Sequence, residues 1–401
     1  MSDPETQRPL YAVVLAAGEG SRMKSERPKP LHRLCGKPML AYVLESLATC
    51  HADRAAIVVG HKGEWVTKKI AEENVGVALE FVEQAVQRGT GDAALIGLSG
   101  LPDDLDDDSD VIVLPGDTPL LTAATIGRLV EQHRATDVAA TVLTAVLDDP
   151  AGYGRVVRGR NDRVVRIVEH GDATPEQLEI NEINTSIYCF KRSLLAPALR
   201  RLNPDNAQGE YYLTDVVAVL AEAGHSVDTV IAPSAAEASG VNDRLQLALA
   251  ESEMRRRTNE ALLRSGVTMV DPASTFVDTT VQVGRDVTLF PGVMLQGSTV
   301  VGDGTELGPN TRLVDCRVGA NAVIEETTAR RAVIGDESHV GPYAVLAPGS
   351  EVASGRRASS SWTSARTPLS IMPRSRASIR SLTSAAGGTS ANTKASRHLV
   401  H

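Results

Sequence analysis

Aliphatic residues recur at every sixth position in the C-terminal third of this 401-residue chain: Val277, Val283, Leu289, Leu295, Val301, Leu307 and Leu313. The count then slips and resumes at Ile334, Val340, Leu346 and Val352. Glycine commonly follows, as in Val283-Gly284, Val301-Gly302 and Val340-Gly341. One short strand plus one tight turn per side of a triangular coil gives this spacing, so residues 267–354 are predicted to wind as a partial parallel β-helix. An ordinary β-sandwich, the plainer alternative, would alternate with period two. An aromatic content of 3% suits flat, regularly stacked layers of small aliphatic side chains.

The chain is longer than one hydrophobic core usually serves, and its first half has a different pattern. Residues 11–16 form a short apolar strand that runs into Ala17-Gly18-Glu19-Gly20-Ser21-Arg22. Helical spacing begins near Pro38 (Met39, Leu40, Val43, Leu44, Leu47), and residues 55–59 and 111–114 read as buried strands, the second ending at Pro115-Gly116-Asp117. A helical stretch at 125–133 and a strand at 139–146 follow. Strands alternating with helices predict an α/β domain with a mainly parallel sheet. Loops at the carboxyl ends of such strands form the ligand crevice, and the two most unusual loops, after Ala16 and after Leu114, fall there.

A largely polar helix at 245–263 is placed to link the two parts. The expected organisation is an α/β domain at 1–245, a linker helix at 246–266, the coil at 267–354 and an aberrant tail at 355–401. That tail is dominated by Ser, Arg, Ala and Thr, and it lacks the aliphatic content to order itself. It is read as the product of a changed reading frame, because the codons for Ser370-Ile371-Met372-Pro373-Arg374-Ser375, shifted by one, can spell His-His-Ala-Lys-Val-Pro; a natural basic tail is the alternative.

Net charge is −9, but no acidic residue follows Glu351, while seven Arg and one Lys do. Setting those eight aside leaves 33 basic residues against 50 acidic, or −17. Such a body does not suit nucleic acid, although a nucleotide needs only a local positive pocket. No apolar run approaches the length of a membrane span, so no membrane partner is expected. The polar start, residues 1–9, is unlike a secretory leader. Cys35, Cys50, Cys189 and Cys316 show no metal-ligand spacing and read as buried thiols in a reducing cytoplasm.

The chemistry concentrates in two motifs. Leu15-Ala16-Ala17-Gly18-Glu19-Gly20-Ser21-Arg22-Met23 follows a buried strand, and its glycines let backbone N–H groups approach a nucleotide. Arg22 and, in Pro28-Lys29-Pro30-Leu31, Lys29 add two cations of the kind phosphoryl transfer needs. A dinucleotide-binding turn would carry a third glycine and neither cation. In Leu114-Pro115-Gly116-Asp117, Asp117 is placed to hold a hard cation such as Mg²⁺. A turn Asp is as often a cap. Asn242, before Asp243-Arg244, is a second candidate oxygen ligand, with helix capping as its plainer reading. Gln84 with Gly89-Thr90-Gly91 is placed to read a base edge, and Glu169 and Asn184 to hold sugar hydroxyls; a solvated loop is the plainer reading for each.

These motifs, with Gly152-Tyr153-Gly154-Arg155 and the run Asn206-Ala207-Gln208-Gly209-Glu210-Tyr211-Tyr212-Leu213-Thr214-Asp215, resemble the bacterial bifunctional N-acetylglucosamine-1-phosphate uridylyltransferase / glucosamine-1-phosphate acetyltransferase family. The match covers residues 10 to about 352. The resemblance implies an α/β Rossmann-like nucleotidyltransferase domain followed by a left-handed parallel β-helix of hexapeptide repeats. It further implies transfer of uridylyl from UTP to N-acetylglucosamine-1-phosphate, releasing pyrophosphate. Leu15, Ala16, Ala17 and Gly18 would meet the uridine, with Gln84, Gly89 and Thr90 at the base. Arg22 and Lys29 would be catalytic, Asp117 and Asn242 would hold Mg²⁺, and Gly154, Glu169 and Asn184 would take the sugar. The β-helix would form a homotrimer and, farther along, bind acetyl-CoA.

This chain departs from the family pattern in three places. Ala347 replaces an arginine, Ser186 stands where a glycine is usual after Asn184-Thr185, and nothing after residue 355 matches the acetyltransferase lysine and histidine. Acetyl transfer is therefore not expected. Two rival readings follow from the same residues. A thymidylyl or guanylyl enzyme would share the glycine-rich turn, Lys29 and Asp117 but not the 206–215 run beside a β-helix. A non-catalytic assembly subunit would have no use for cations beside a metal carboxylate.

Overall fold

A computed structural model describes residues 8–103 and 108–359. The N-terminal leader reading (residues 1–7 of it) and the tail reading from 360 onward lie outside the described residues.

The first domain is built on one nine-stranded sheet. In chain order its strands are β1 (Leu10–Ala16), β2 (Arg54–Val59), β3 (Ala78–Glu83), β4 (Asp110–Pro115), β5 (Ala140–Val146), β6 (Arg155–Arg158), β7 (Val164–Val168), β8 (Glu182–Lys191) and β9 (Val227–Ile231). The main path runs β9-β5-β8-β4-β1-β2-β3, with β6 and β7 forming a ribbon attached to β8. β1 lies inside the sheet with parallel neighbours on both sides, and its Ala12, Val13 and Val14 are completely buried, which explains a strand without alternation. Along the main path four of the six pairings are parallel, as expected, but β8 runs antiparallel to β4 and β5, and the β6–β7 ribbon pairs antiparallel within itself and with β8. Between β5 and β8 the chain holds the ribbon and a single turn of helix, Pro175–Leu178, rather than a crossover helix, so β8 returns reversed.

Helices cover both faces. α1 (Met39–Thr49), α2 (Gly63–Ala71) and α4 (Ala123–Thr136) pack on one side, where Leu40, Val43, Leu44 and Leu47 give α1 an apolar stripe at helical spacing. α3 (Thr90–Leu98), α5 (Arg192–Leu199) and α6 (Asp215–Glu222) pack on the other. From β1 the chain builds outward through β2 and β3, then returns to β4 on the opposite side of β1. Successive connections therefore part between β1 and β4, the place where α/β sheets open a crevice.

α7 (Arg244–Arg264) leads into a left-handed parallel β-helix. Its three walls are ladders of six, five and five short strands, from Thr268–Met269 to Arg357–Ala358. The glycine after an inward aliphatic has a packing cause: a Cβ on Gly302 would lie 2.6 Å from the backbone of Gly319 in the next coil. Where the sequence count slips, winding continues. Val318, Ile324 and Ala329 point inward between Leu313 and Ile334 on sides shortened in places by one residue. The coil also runs beyond residue 354, because Arg357–Ala358 pairs with His339–Val340 and Ala358 is buried. An alanine fills an inward layer but leaves little aliphatic signal to count.

The domain and the coil are braced together. A small hairpin, Arg33–Leu34 with Lys37–Pro38, carries Cys35 and Gly36 at its tip. Cys35 N–H donates to Glu251 of α7 at 2.8 Å, and Thr279 N–H of the first coil donates to Cys35 O at 3.1 Å. Gly36, at φ +92°, sits so close to Asp278 that a Cβ would lie 2.8 Å from its carboxylate. Leu34, Met39, Tyr42, Val241 and Ala250 form a small core beneath this joint.

Candidate active site

At the carboxyl ends of β1 and β4, Leu15 faces Pro115 and Gly116 N–H donates to Leu15 O at 2.9 Å, so the two motif loops lie side by side. They form the floor of a cleft of about 440 Å³. Leu15, Ala16, Ala17, Gly18, Lys29, Gln84, Gly89, Thr90, Asp117, Asn184 and Asn242 all line it. Arg22, Gly154 and Glu169 do not.

Two glycines of the first loop serve different ends. Gly20 adopts φ +65°, and a Cβ there would come within 2.7 Å of the Lys29 Cβ, so its bareness lets Lys29 fold in against the turn. A Cβ on Gly18 would meet nothing within 4 Å. The space before Gly18 belongs to the cleft, and the bare backbone there is open to whatever the cleft holds.

The four residues that sequence motifs single out for charge converge. Lys29 Nζ forms an ion pair with Asp117 and donates to Asn242 Oδ1 at 2.8 Å. Arg22 Nη2 donates to the same Oδ1 at 3.1 Å. Arg22 thus reaches the site through Asn242. A single ammonium touches both the Asp117 carboxylate and the Asn242 carbonyl oxygen, so the two oxygens address one point, as ligands of a hard divalent cation must. Gly240 closes over them: a Cβ there would lie 3.3 Å from Asp117 Oδ1. The capping alternative for Asn242 falls to its neighbour, because Asp243 accepts from Gln246 N–H at 2.8 Å and starts α7, while Asn242 turns to the cleft.

The opposite lip is held by the 206–215 run. Gly91 N–H donates to Tyr211 O, Tyr211 N–H donates to Arg88 O, and the Thr90 hydroxyl accepts from Leu213 N–H at 3.0 Å. A Cβ on Gly89 would collide with the Tyr211 backbone at 2.6 Å. Asn206 knots the run by accepting from the N–H groups of Gln208 and Glu210. Near the start of β8, Asn184 accepts from Ser186 N–H at 3.1 Å in a bulge of the ladder with β5. Gly154 O accepts from Asn184 N–H at 2.9 Å. Glu169 lies against Gly154 and accepts from the Thr214 hydroxyl at 3.1 Å. Burial pushes the Glu169 carboxyl above the usual range, with Asp215 and Asp172 adding to it and the Thr214 bond opposing it.

A model of the MobA-like NTP transferase domain matches residues 12–222. The bifunctional protein GlmU of Streptomyces avermitilis is 46% identical over 350 residues, covering 86% of this chain and 71% of that protein. GlmU of Thermobifida fusca is 47% identical (82% and 68%), and that of Carboxydothermus hydrogenoformans 44% identical (86% and 75%). The chain belongs to the GlmU family. Its first domain is a nucleotidyltransferase.

Two side chains of this GlmU site escape sequence reading. Gln87 Nε2 donates to Ala17 O at 2.6 Å, fixing a peptide of the glycine-rich turn, and Asp92 accepts from Gln84 Nε2 at 2.8 Å. Neither belongs to a spaced motif. The nearest signal was their proximity to Gln84 and Gly89.

Proposed function

We propose that this GlmU chain transfers uridylyl from UTP to N-acetylglucosamine-1-phosphate, giving UDP-N-acetylglucosamine and pyrophosphate. The observation that carries this reading is the meeting of Arg22, Lys29, Asp117 and Asn242 beside the bare backbone of Gly18. The 15–18 turn and the loop with Gln84, Gly89 and Thr90 hold the uridine. Asn184, Gly154 and Glu169 serve the sugar side. A phosphate oxygen of the sugar phosphate attacks the α-phosphorus in line, and the bond to the β-phosphate breaks. Arg22 and Lys29 oppose the charge gathering on the α- and β-phosphate oxygens, where positioned cations count for most. Asp117 and Asn242 would hold Mg²⁺, which supplies Lewis-acid neutralisation of phosphate charge when bound.

Pyrophosphate release tests the reaction. Release that needs UTP, N-acetylglucosamine-1-phosphate and Mg²⁺ together is expected. Equal release with thymidine or guanosine triphosphate and another sugar phosphate would assign a different substrate. Full turnover by an Asp117→Ala variant would make the site vestigial.

The same reading places the functional unit at 1–245, the linker at 246–266 and a homotrimer interface on the coil, in a cytoplasmic enzyme. Outward Val333, Val345 and Met294, 44%, 63% and 37% exposed, support an association through the β-helix. Sedimentation equilibrium decides the trimer. The Ala347 position follows the strand Val345–Leu346. With no arginine there, acetyl-CoA consumption with glucosamine-1-phosphate is expected to be nil.

A further inference from the structure

Gln84 is 4% exposed, and its side chain still lines the nucleotide cleft. A carboxamide has a donor end and an acceptor end, and packing alone distinguishes them poorly. Here the surroundings do. Nε2 donates to Asp92 Oδ2 at 2.8 Å and to Gly89 O at 3.3 Å, which uses both of its hydrogens on the protein. Turning the amide over would set Oε1 against a carboxylate and a carbonyl oxygen, a repulsive arrangement. Backbone pairing of Gln84 N–H with Val59 O at 2.8 Å fixes the residue from the other side. Oε1 receives no hydrogen bond from any described residue, so an acceptor without a partner is left at the cleft.

We infer that Asp92 sets the base preference of this enzyme by locking the Gln84 carboxamide with its oxygen toward the base. The inference rests on the uridylyl-transfer reading and extends it to selectivity. A fixed acceptor favours a ring that offers an imide N–H. Uracil has one at N3. Cytosine has a lone pair there, and would meet Gln84 Oε1 with repulsion or shift to bring its amino group round. Sites built on one buried hydrogen bond discriminate strongly against a ligand that leaves the partner unpaired. Asp92 lies on the first turn of α3, anchored with Gly89 and Gly91 to the 206–215 run, so the lock has a rigid base. It is a positioning residue, acting through Gln84.

The test compares UTP with CTP by kcat/KM for wild type, Asp92→Leu and Asp92→Asn, with melting curves as the check on folding. In Asp92→Leu the preference for UTP is expected to contract about tenfold, mainly through KM for UTP, because Gln84 is free to turn over. Asp92→Asn keeps an acceptor and is expected to hold the preference within about threefold of wild type. If Asp92→Leu keeps the UTP to CTP ratio, or loses both substrates by the same factor, the inference falls. A measurement on wild type alone guards against a variant that does not fold: N3-methyl-UTP, lacking the imide hydrogen, is expected to lose at least about tenfold in kcat/KM, and equal use of it overturns the idea. Absence of any pyrophosphate release by wild type would count against the reaction instead, and calorimetric binding of UTP against CTP would then still decide the role of Asp92.

Discussion

Ser186 adopts φ +63° in the bulge where β8 leaves its register with β5. A left-handed backbone costs a residue with a Cβ roughly 1–2 kcal/mol, part of which glycine returns through the entropy of its unfolded chain. The family's preference for glycine there is thus a backbone preference, and Ser186→Gly is expected to stabilise the protein by about 0.5–1 kcal/mol in urea denaturation. Glu169 offers a pH test. Its carboxyl is raised by burial, so the folded state favours the protonated form. That contribution is full below the ordinary carboxylate range and is lost as pH rises through the raised value. Glu169→Gln should therefore gain stability relative to wild type as pH rises above the ordinary carboxylate range, with no difference at the acid end. Gly18, Lys29 and Asp117 were legible because a glycine turn, a cation and a carboxylate each followed a recognisable strand. Asp92 and Gln87 were not, since a side chain that braces another across a loop leaves no periodic trace.

Among the elements, α7 shows how narrowly a start can be set. Asp243 caps it and Asn242, one residue earlier, serves the cleft. Asp243→Ala is expected to cost about 1 kcal/mol of stability and, by loosening the approach to Asn242, to raise the Mg²⁺ concentration needed for half-maximal pyrophosphate release. The sequence shows this helix as a largely polar stretch at 245–263 but does not divide the two roles, because Asn and Asp both cap well. The β-helix was legible for the opposite reason: its aliphatic signal repeats. It faded where Val318 and Ala329 shortened the sides and where Ala358 replaced a larger residue. Layers can be filled by small side chains that a count of large aliphatics passes over.

At the scale of the molecule, two periodicities gave away two domains, while their joint was hidden. Cys35 lies far along the chain from Glu251 and from Asp278-Thr279, and only folding makes them neighbours. Gly36→Ala tests the joint. Its Cβ would press on the Asp278 carboxylate and suffer a left-handed backbone, so a loss of roughly 1–3 kcal/mol is expected, together with slower turnover at saturating substrate.

Lys29 begins the segment that becomes the hairpin, and Asn242 begins the one that becomes α7. Both segments come to rest on the same first coil, the hairpin at Asp278 and Thr279 and the helix at Pro272 and Thr275. Two struts with common footings make a truss, and a truss does not swing open. The freedom that lets pyrophosphate out is therefore expected at the opposite lip, where the 84–91 loop and the 206–215 run make no hydrogen bond to the coil among the described residues.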